Sequence, residues 1–546
     1  MPVVDKLIVT NVAALKRKYG SKGYSRIKRA VTQLVAADKQ RGVHTMFLAL
    51  DSVSAMKKKH GVAVTDASGP RQYKEAIDAA HRTSTPDYLL ILGATDVVPH
   101  QDLENPLYAP GDDDDKLAFS DLPYACEAAY SKRIADFRAP TRVVGRLPDK
   151  FADSDPSYLE SLLATAAQFE TAPRKSFDAY FGITAEVWKS STALSLSNTF
   201  GSNLELQSVP PKDSRWPVGL LRSRMHFINC HGAPADPKFY GQRGGNFPVA
   251  HDAAYLASRI KPGTILSAEC CYGAELYDPT LAEGQAGICN TYLGAGGYGV
   301  FASSTIAYGP SAGNAQADVI CQFFLQRVLL GASLGRAALE ARQQFVAESG
   351  TLDPTELKTL AQFHLLGDPA VHAVTIEQPA LMATKAFRAA MPDREGAARA
   401  GRSLRRRQLA KAGLALEQTV GAARRVSETK PSKKVRGALE RAARETGVRP
   451  KHWVSFTVDD PGTKVLRGAK IARPGPTSFQ VAIGSKRVLA AKARKVRGKR
   501  GKPAPDGAAV LRQTVVLTAT LQEGKVVQLT RAYAKMLHGA PRKGRP

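Results

Sequence analysis

Short apolar runs, each stopped by glycine, proline or a polar turn and each followed by a helix-length stretch, recur through the first two-thirds of this chain. KLIVT (6–10), HTMFLAL (44–50), the YLLIL core of PDYLLILGATDVVPH (86–100) and TRVVGRLPD (141–149) come first. DAYFGIT (178–184), LELQSV (204–209), MHFINC (225–230), TILSAEC (264–270) and YGVFASS (298–304) follow. Runs that are apolar on both faces suit strands buried inside a parallel sheet, and the spacers between them supply helical crossovers. Helices are expected around 11–37, 71–84, 156–170, 190–200, 251–260, 283–294, 312–331 and 334–349. The pattern predicts an α/β fold with a mainly parallel sheet flanked by helices.

Charge divides the chain. Of the net +28 over 546 residues, residues 381–546 carry +29 and residues 1–380 carry −1. Four regions are expected: a smaller α/β N-terminal subdomain (1–150), the central α/β domain (151–378), a basic Ala/Arg/Lys-rich helical segment (379–450) and a small β-rich basic domain with a disordered tail (451–546). The last two make a basic α+β extension. Its strands fall within 452–484 and 507–530, and AAKARKVRGKRGKPAPDG between them reads as a basic loop. Such a loop suits nucleic acid or an acidic partner protein, although no zinc-finger spacing or RNP motif accompanies it. No signal peptide and no run of about 18 apolar residues is found, so no membrane partner is expected. Six cysteines without a CxxC pair read as reduced thiols in a cytoplasmic protein.

In open α/β sheets, sites form beyond the carboxyl ends of strands. Two strand ends here carry reactive side chains: NCHGA (229–233) and ECCYGA (269–274). A thiolate attacks carbonyls, and a nearby histidine takes and returns its proton. The oxyanion that forms needs amide donors, and a glycine lets the backbone approach closely. His231 is therefore the candidate base and acid, and a cysteine of the 270/271 doublet the candidate nucleophile. Neighbouring side chains on a strand face opposite ways, so one cleft can use only one of the two.

Strand-His-Gly followed by strand-Ala-x-Cys-Cys-x-Gly resembles the caspase, legumain and gingipain superfamily of cysteine peptidases, most of all its gingipain-type branch. The resemblance extends over roughly 85–375. PDYLLILGATDVVP, SDLPYAC (120–126), TRVVGRLPD, GAGGYGVFASSTIAYGP (294–310) and FHLLGDPAVH (363–372) resemble further landmarks of that branch in the same order. It implies a caspase-like fold and a thiol protease that hydrolyses peptide bonds in protein or peptide substrates. Glycine two residues after the nucleophile points to Cys271, with Cys270 in the core or acting as a redox neighbour. Counting to a glycine three residues on would choose Cys270. Backbone N–H groups of Gly232 and Cys271 would hold the oxyanion, and Glu269 could tune the site, with a salt bridge or a metal equally open. No metal ligand is assigned and no cofactor is required, with calcium possible.

Pocket candidates are Glu275, Asp278, Ser303, Ser304 and Thr305, from loops expected to line the cleft. The loop after the cysteines holds Glu275, Asp278 and Glu283 and no base. That bias predicts cleavage after Arg or Lys. GDDDDK (111–116) lacks EF-hand spacing and reads as a solvated acidic loop, with calcium as the other reading. The competing function is a catalytically weak caspase-like scaffold whose basic C-terminal domain binds nucleic acid or an acidic partner.

Overall fold

The computed structural model describes residues 3–375, 394–427, 431–459, 477–489 and 510–536. The main sheet takes β1 (Lys6–Thr10), β2 (Thr45–Ala49), β3 (Tyr88–Leu92), β4 (Val144–Leu147), β5 (Tyr180–Ala185) and β6 (Leu206–Val209). To these it adds β7 (Met225–Asn229), β8 (Ile265–Ala268) and β9 (Gly299–Ser303). The short strand β10 (Tyr308–Gly309) belongs to a second sheet, and β11 (Phe363–Gly367) completes the first, in the order β2-β1-β3-β4-β11-β9-β8-β7-β5-β6. Most of its strands are buried along their whole length, as their two-faced apolar runs require.

The sheet is two parallel halves. β11 runs parallel to β4 but antiparallel to β9, so the halves run in opposite directions and meet at that pair. The four strands before residue 150 therefore continue the same sheet as those after it. β11 is the strand that apolar-run counting passed over. The helix Pro354–Gln362 runs into it with no turn residue between.

Helices cover both faces. Val12–Gln40 and Ser157–Ala167 close one face over Leu7, Leu90 and Leu266. Gln316–Leu329, Leu334–Ser349 and Pro354–Gln362 close the other over Ile265, Phe301 and Leu365. The helix expected over 251–260 is not formed. Val249–Asp252 instead pairs antiparallel with Lys238–Tyr240, and Asp252 caps a single 3-10 turn, Ala253–Tyr255. That hairpin lies beside His231.

The second sheet is antiparallel. It contains β12 (Ala422–Ser427), β13 (His452–Asp459), β14 (Thr477–Leu489), β15 (Val510–Gln522) and β16 (Lys525–Ala534), in the order β10-β16-β15-β14-β13-β12. The helix Lys433–Thr446 buries Val435, Leu439 and Ala442 against one face. The other face shares a core with the α/β body, where Val454, Phe456 and Val481 join Phe345, Leu352 and Leu357. The basic stretch after β14, the disordered-tail expectation and the 378/379 boundary lie outside the described residues.

The acidic run differs from the solvated loop expected. Asp112 and Asp113 are buried. Asp113 accepts from the Lys358 ammonium at 2.7 Å and from the Tyr308 hydroxyl at 2.8 Å. Asp115 accepts from the Tyr272 hydroxyl and the Ile306 amide, each at 2.7 Å. These partners come from the cysteine turn, the segment after β9 and a later helix. The run thus braces the segment that links β9 to β10.

Candidate active site

β7 and β8 are adjacent and parallel, so their carboxyl ends lie side by side. His231-Gly232 leaves β7 and Glu269-Cys270-Cys271 leaves β8. The contact is so close that a Cβ on Gly232 would stand 1.9 Å from the Cys271 carbonyl oxygen and 3.5 Å from its nitrogen. Only glycine fits that position.

The doublet splits as strand alternation requires. Cys270 joins the hydrophobic cluster on one face of the sheet and Cys271 the cluster on the other. The Cys271 sulfur accepts from the Ala307 amide at 3.1 Å and lies 3.4 Å from the Ala307 carbonyl oxygen. Burial pushes its pKa well above the usual thiol value, so it rests as a thiol. The turn is made by Tyr272, whose φ of 57° is left-handed, with its hydroxyl tied to Asp115.

His231 is buried against the Trp188 ring at 4.5 Å and the Phe247 ring at 5.4 Å. Its Nε2 meets Gln242 Oε1 at 2.8 Å. Gln242 Nε2 in turn donates to the Gly244 carbonyl, which fixes the amide orientation. Nε2 then carries the hydrogen and Nδ1 is bare, and Nδ1 is buried without a well-aligned partner. Burial, the largest effect, pulls the imidazole pKa down to about 4 against the Gln242 and Met536 hydrogen bonds that favour the proton. The ring is therefore neutral, the form in which it can accept a proton. The thiol and the imidazole do not hydrogen-bond to each other in this arrangement. His226, inside β7, bonds Tyr292 and the Ser223 carbonyl and is a core residue.

The last of the described residues run through this cleft. Tyr533 and Ala534, at the end of β16, pair antiparallel with Gly309 and Tyr308. The Lys535 amide donates to the Ala307 carbonyl at 2.9 Å, and the Gly232 amide donates to the Lys535 carbonyl at 2.9 Å. Met536 then bridges to Gly232. The Lys535 side chain is fully buried; it donates to Glu269 and, at 2.9 Å, to Asp318, and its ammonium lies 5.4 Å from the Trp188 ring centre. The two carboxylates hold its pKa above the ordinary lysine value although burial opposes them. Burial and the Asp318 charge raise that of Glu269. A Cβ on Gly309 would stand 2.7 Å from Lys535 Cε, so this glycine leaves room for the side chain.

The five pocket candidates hydrogen-bond within the loops around the cleft. Glu275 accepts from the Ala235 amide at 2.6 Å, steadying the loop after His-Gly. Asp278 caps a 3-10 turn through the Thr280 amide. Ser303 bonds the Thr305 carbonyl, Ser304 the Phe119 carbonyl and Thr305 the Gln362 side chain, which together fix the segment before β10. The acids that meet the Lys535 ammonium are Glu269, which shares the Cys271 side of the strand by period two, and Asp318, which is not among the candidates read from the sequence. Its signal was an aspartate in the first turn of an otherwise apolar helix, QADVICQFFLQ.

No family model matches the chain, and no curated protein matches it. Among solved structures it is similar to one described as "Structure of Protease", at 11% identity over 98% of this chain and 97% of that one, with a TM-score of 0.44.

Proposed function

We propose that this protein is a cysteine endopeptidase of the caspase, legumain and gingipain type that cuts after Lys, and less readily after Arg. One observation carries the reading. A lysine is held with its carbonyl on the Gly232 N–H, its amide on the Ala307 carbonyl and its side chain between two buried carboxylates, Glu269 and Asp318. That is how a peptidase holds the residue before the bond it cuts: backbone paired like an added strand, carbonyl on an amide donor, side chain in a pocket of opposite charge.

The chemistry follows from these groups. Rotation of the Cys271 side chain away from Ala307 brings the sulfur toward the held carbonyl, and His231 takes its proton. The oxyanion is stabilised by the amides of Gly232 and Cys271. His231 then protonates the departing amine, and water hydrolyses the thioester. The nucleophile and base are both side chains, so the reaction calls for no cofactor. The buried pocket with two acids suits an ammonium; a guanidinium is larger and Gly309 leaves it little space.

The test is a panel of fluorogenic peptides differing only in the residue before the cut, with wild type and Cys271→Ala side by side. Turnover highest for Lys and abolished in Cys271→Ala is the expected result. A preference for Asp or for a neutral residue, or undiminished turnover in Cys271→Ala, would sink the reading.

A further inference from the structure

Resting on that reading, we propose that Tyr533–Met536 is a tethered substrate of the same molecule: the site cuts its own Lys535–Met536 bond, and the strand then stays as a plug in the cleft. Every contact a substrate would make on the amino-terminal side of the bond is made by this segment. Ala534 and Tyr533 take the pairing edge of β10, and Lys535 takes the amide of Gly232, the carbonyl of Ala307 and both pocket acids. The peptide continues past the bond, with Met536 on Gly232 and its backbone against the His231 ring. The imidazole therefore faces the backbone of the residue whose nitrogen has to leave with a proton. The Cys271 sulfur and the Lys535 amide both lie against the same Ala307 carbonyl, at 3.4 Å and 2.9 Å.

The step balances without an outside reagent other than water. The Cys271 sulfur bonds to the Lys535 carbonyl carbon as its proton passes to His231. The Lys535–Met536 C–N bond breaks and His231 returns the proton to the Met536 nitrogen, releasing 536–546 with a free amine. Water cleaves the thioester, leaving a Lys535 carboxylate and restoring the thiol. β16 remains paired to β15 along Val515–Gln522, so the new carboxyl end is not set free. Lys535 continues to compete for the acid pocket as a covalently attached product, and other substrates meet a cleft that is already filled.

The experiment compares full-length wild type, Cys271→Ala, Lys535→Gln and Lys535→Met by intact mass and by turnover of a short fluorogenic peptide with Lys before the cut. Lys535→Met keeps the length and the apolar stem of the side chain, in case Lys535→Gln folds poorly. Wild type should end at Lys535, reached at a rate independent of protein concentration. Cys271→Ala and both Lys535 variants should keep residue 546, and the Lys535 variants should turn over the peptide at least tenfold faster than wild type. A wild type that stays intact and matches the Lys535 variants in turnover overturns the proposal and leaves the peptidase reading standing. Loss of the tail from Cys271→Ala also overturns it, since another protease then makes the cut. No turnover by wild type or either Lys535 variant overturns the peptidase reading and the proposal with it.

Discussion

Replacing Glu269 by Gln tests the acid pocket with little change in shape. In the described arrangement a buried ammonium touches Glu269 and lies 2.9 Å from Asp318 Oδ1. Removing one partner of a buried, hydrogen-bonded charge pair costs about 2–5 kcal/mol. Asp318 remains and Gln still offers an oxygen, so the lower end applies, about 2–3 kcal/mol. At about 1.4 kcal/mol per factor of ten, that is a loss of roughly 30- to 150-fold in kcat/KM for a peptide with Lys before the cut. The control is the same peptide with norleucine, which keeps the methylene stem and lacks the charge. A weakened Lys535 plug raises kcat/KM of both peptides alike, so the readout is the Lys-to-norleucine ratio, which should fall by that factor because the norleucine stem is bound by packing and not by the carboxylates. Equal losses for the two peptides would mean that Glu269 merely supports the fold. An unchanged Lys preference would mean that the pocket is not where the substrate side chain goes.

Three further outcomes are expected. Gly232→Ala places a Cβ 1.9 Å from the Cys271 carbonyl oxygen, backbone against backbone with no flexible end to yield. The backbone must shift, so the variant should lower kcat by about 10²- to 10³-fold, the effect of losing an oxyanion donor, and lower the urea midpoint as well; wild-type turnover and an unshifted midpoint would refute the close contact. Lys358→Met leaves Asp113 and Asp115 facing each other without their cation and should cost about 3–5 kcal/mol in urea unfolding; a cost under about 1 kcal/mol refutes the brace. His226 is held neutral by burial down to about pH 3, whereas a histidine in the unfolded chain takes a proton near 6.5. A depressed folded pKa contributes stability above 6.5 that is lost as pH falls, so His226→Phe should flatten the pH dependence of stability between 6.5 and 4 by about 1.4 kcal/mol per pH unit; an unchanged slope contradicts it.

Which parts of this structure could be read from the chain follows from how far each depends on distant partners. The strands of the main sheet were legible because YLLIL or MHFIN is apolar on both faces, and that property is written within five residues. The splitting of the doublet was legible for the same reason, since period two needs no knowledge of neighbours. The acidic run was misread because its neutralising groups, Lys358, Tyr308 and Tyr272, lie in other elements, and a window on GDDDDK shows only like charges. The pocket was half legible. A glutamate at the end of an apolar strand cannot stay buried and charged alone, so Glu269 by itself demands a cation. The sequence around it supplies none: Ser267, Ala268, Cys270 and Cys271 are neutral. The helix that faces it brings a second acid, Asp318, which sharpens the demand. Two buried carboxylates side by side call for a positive partner, and the body's own buried lysines are already paired elsewhere, Lys6 with Asp38 and Asp368, Lys74 with Asp78 and Lys358 with Asp113. The partner comes from the basic extension, carried in as Lys535 at the end of the last strand. The extension that charge sets apart from the α/β body is, for this reason, the part of the chain that fills the body's cleft.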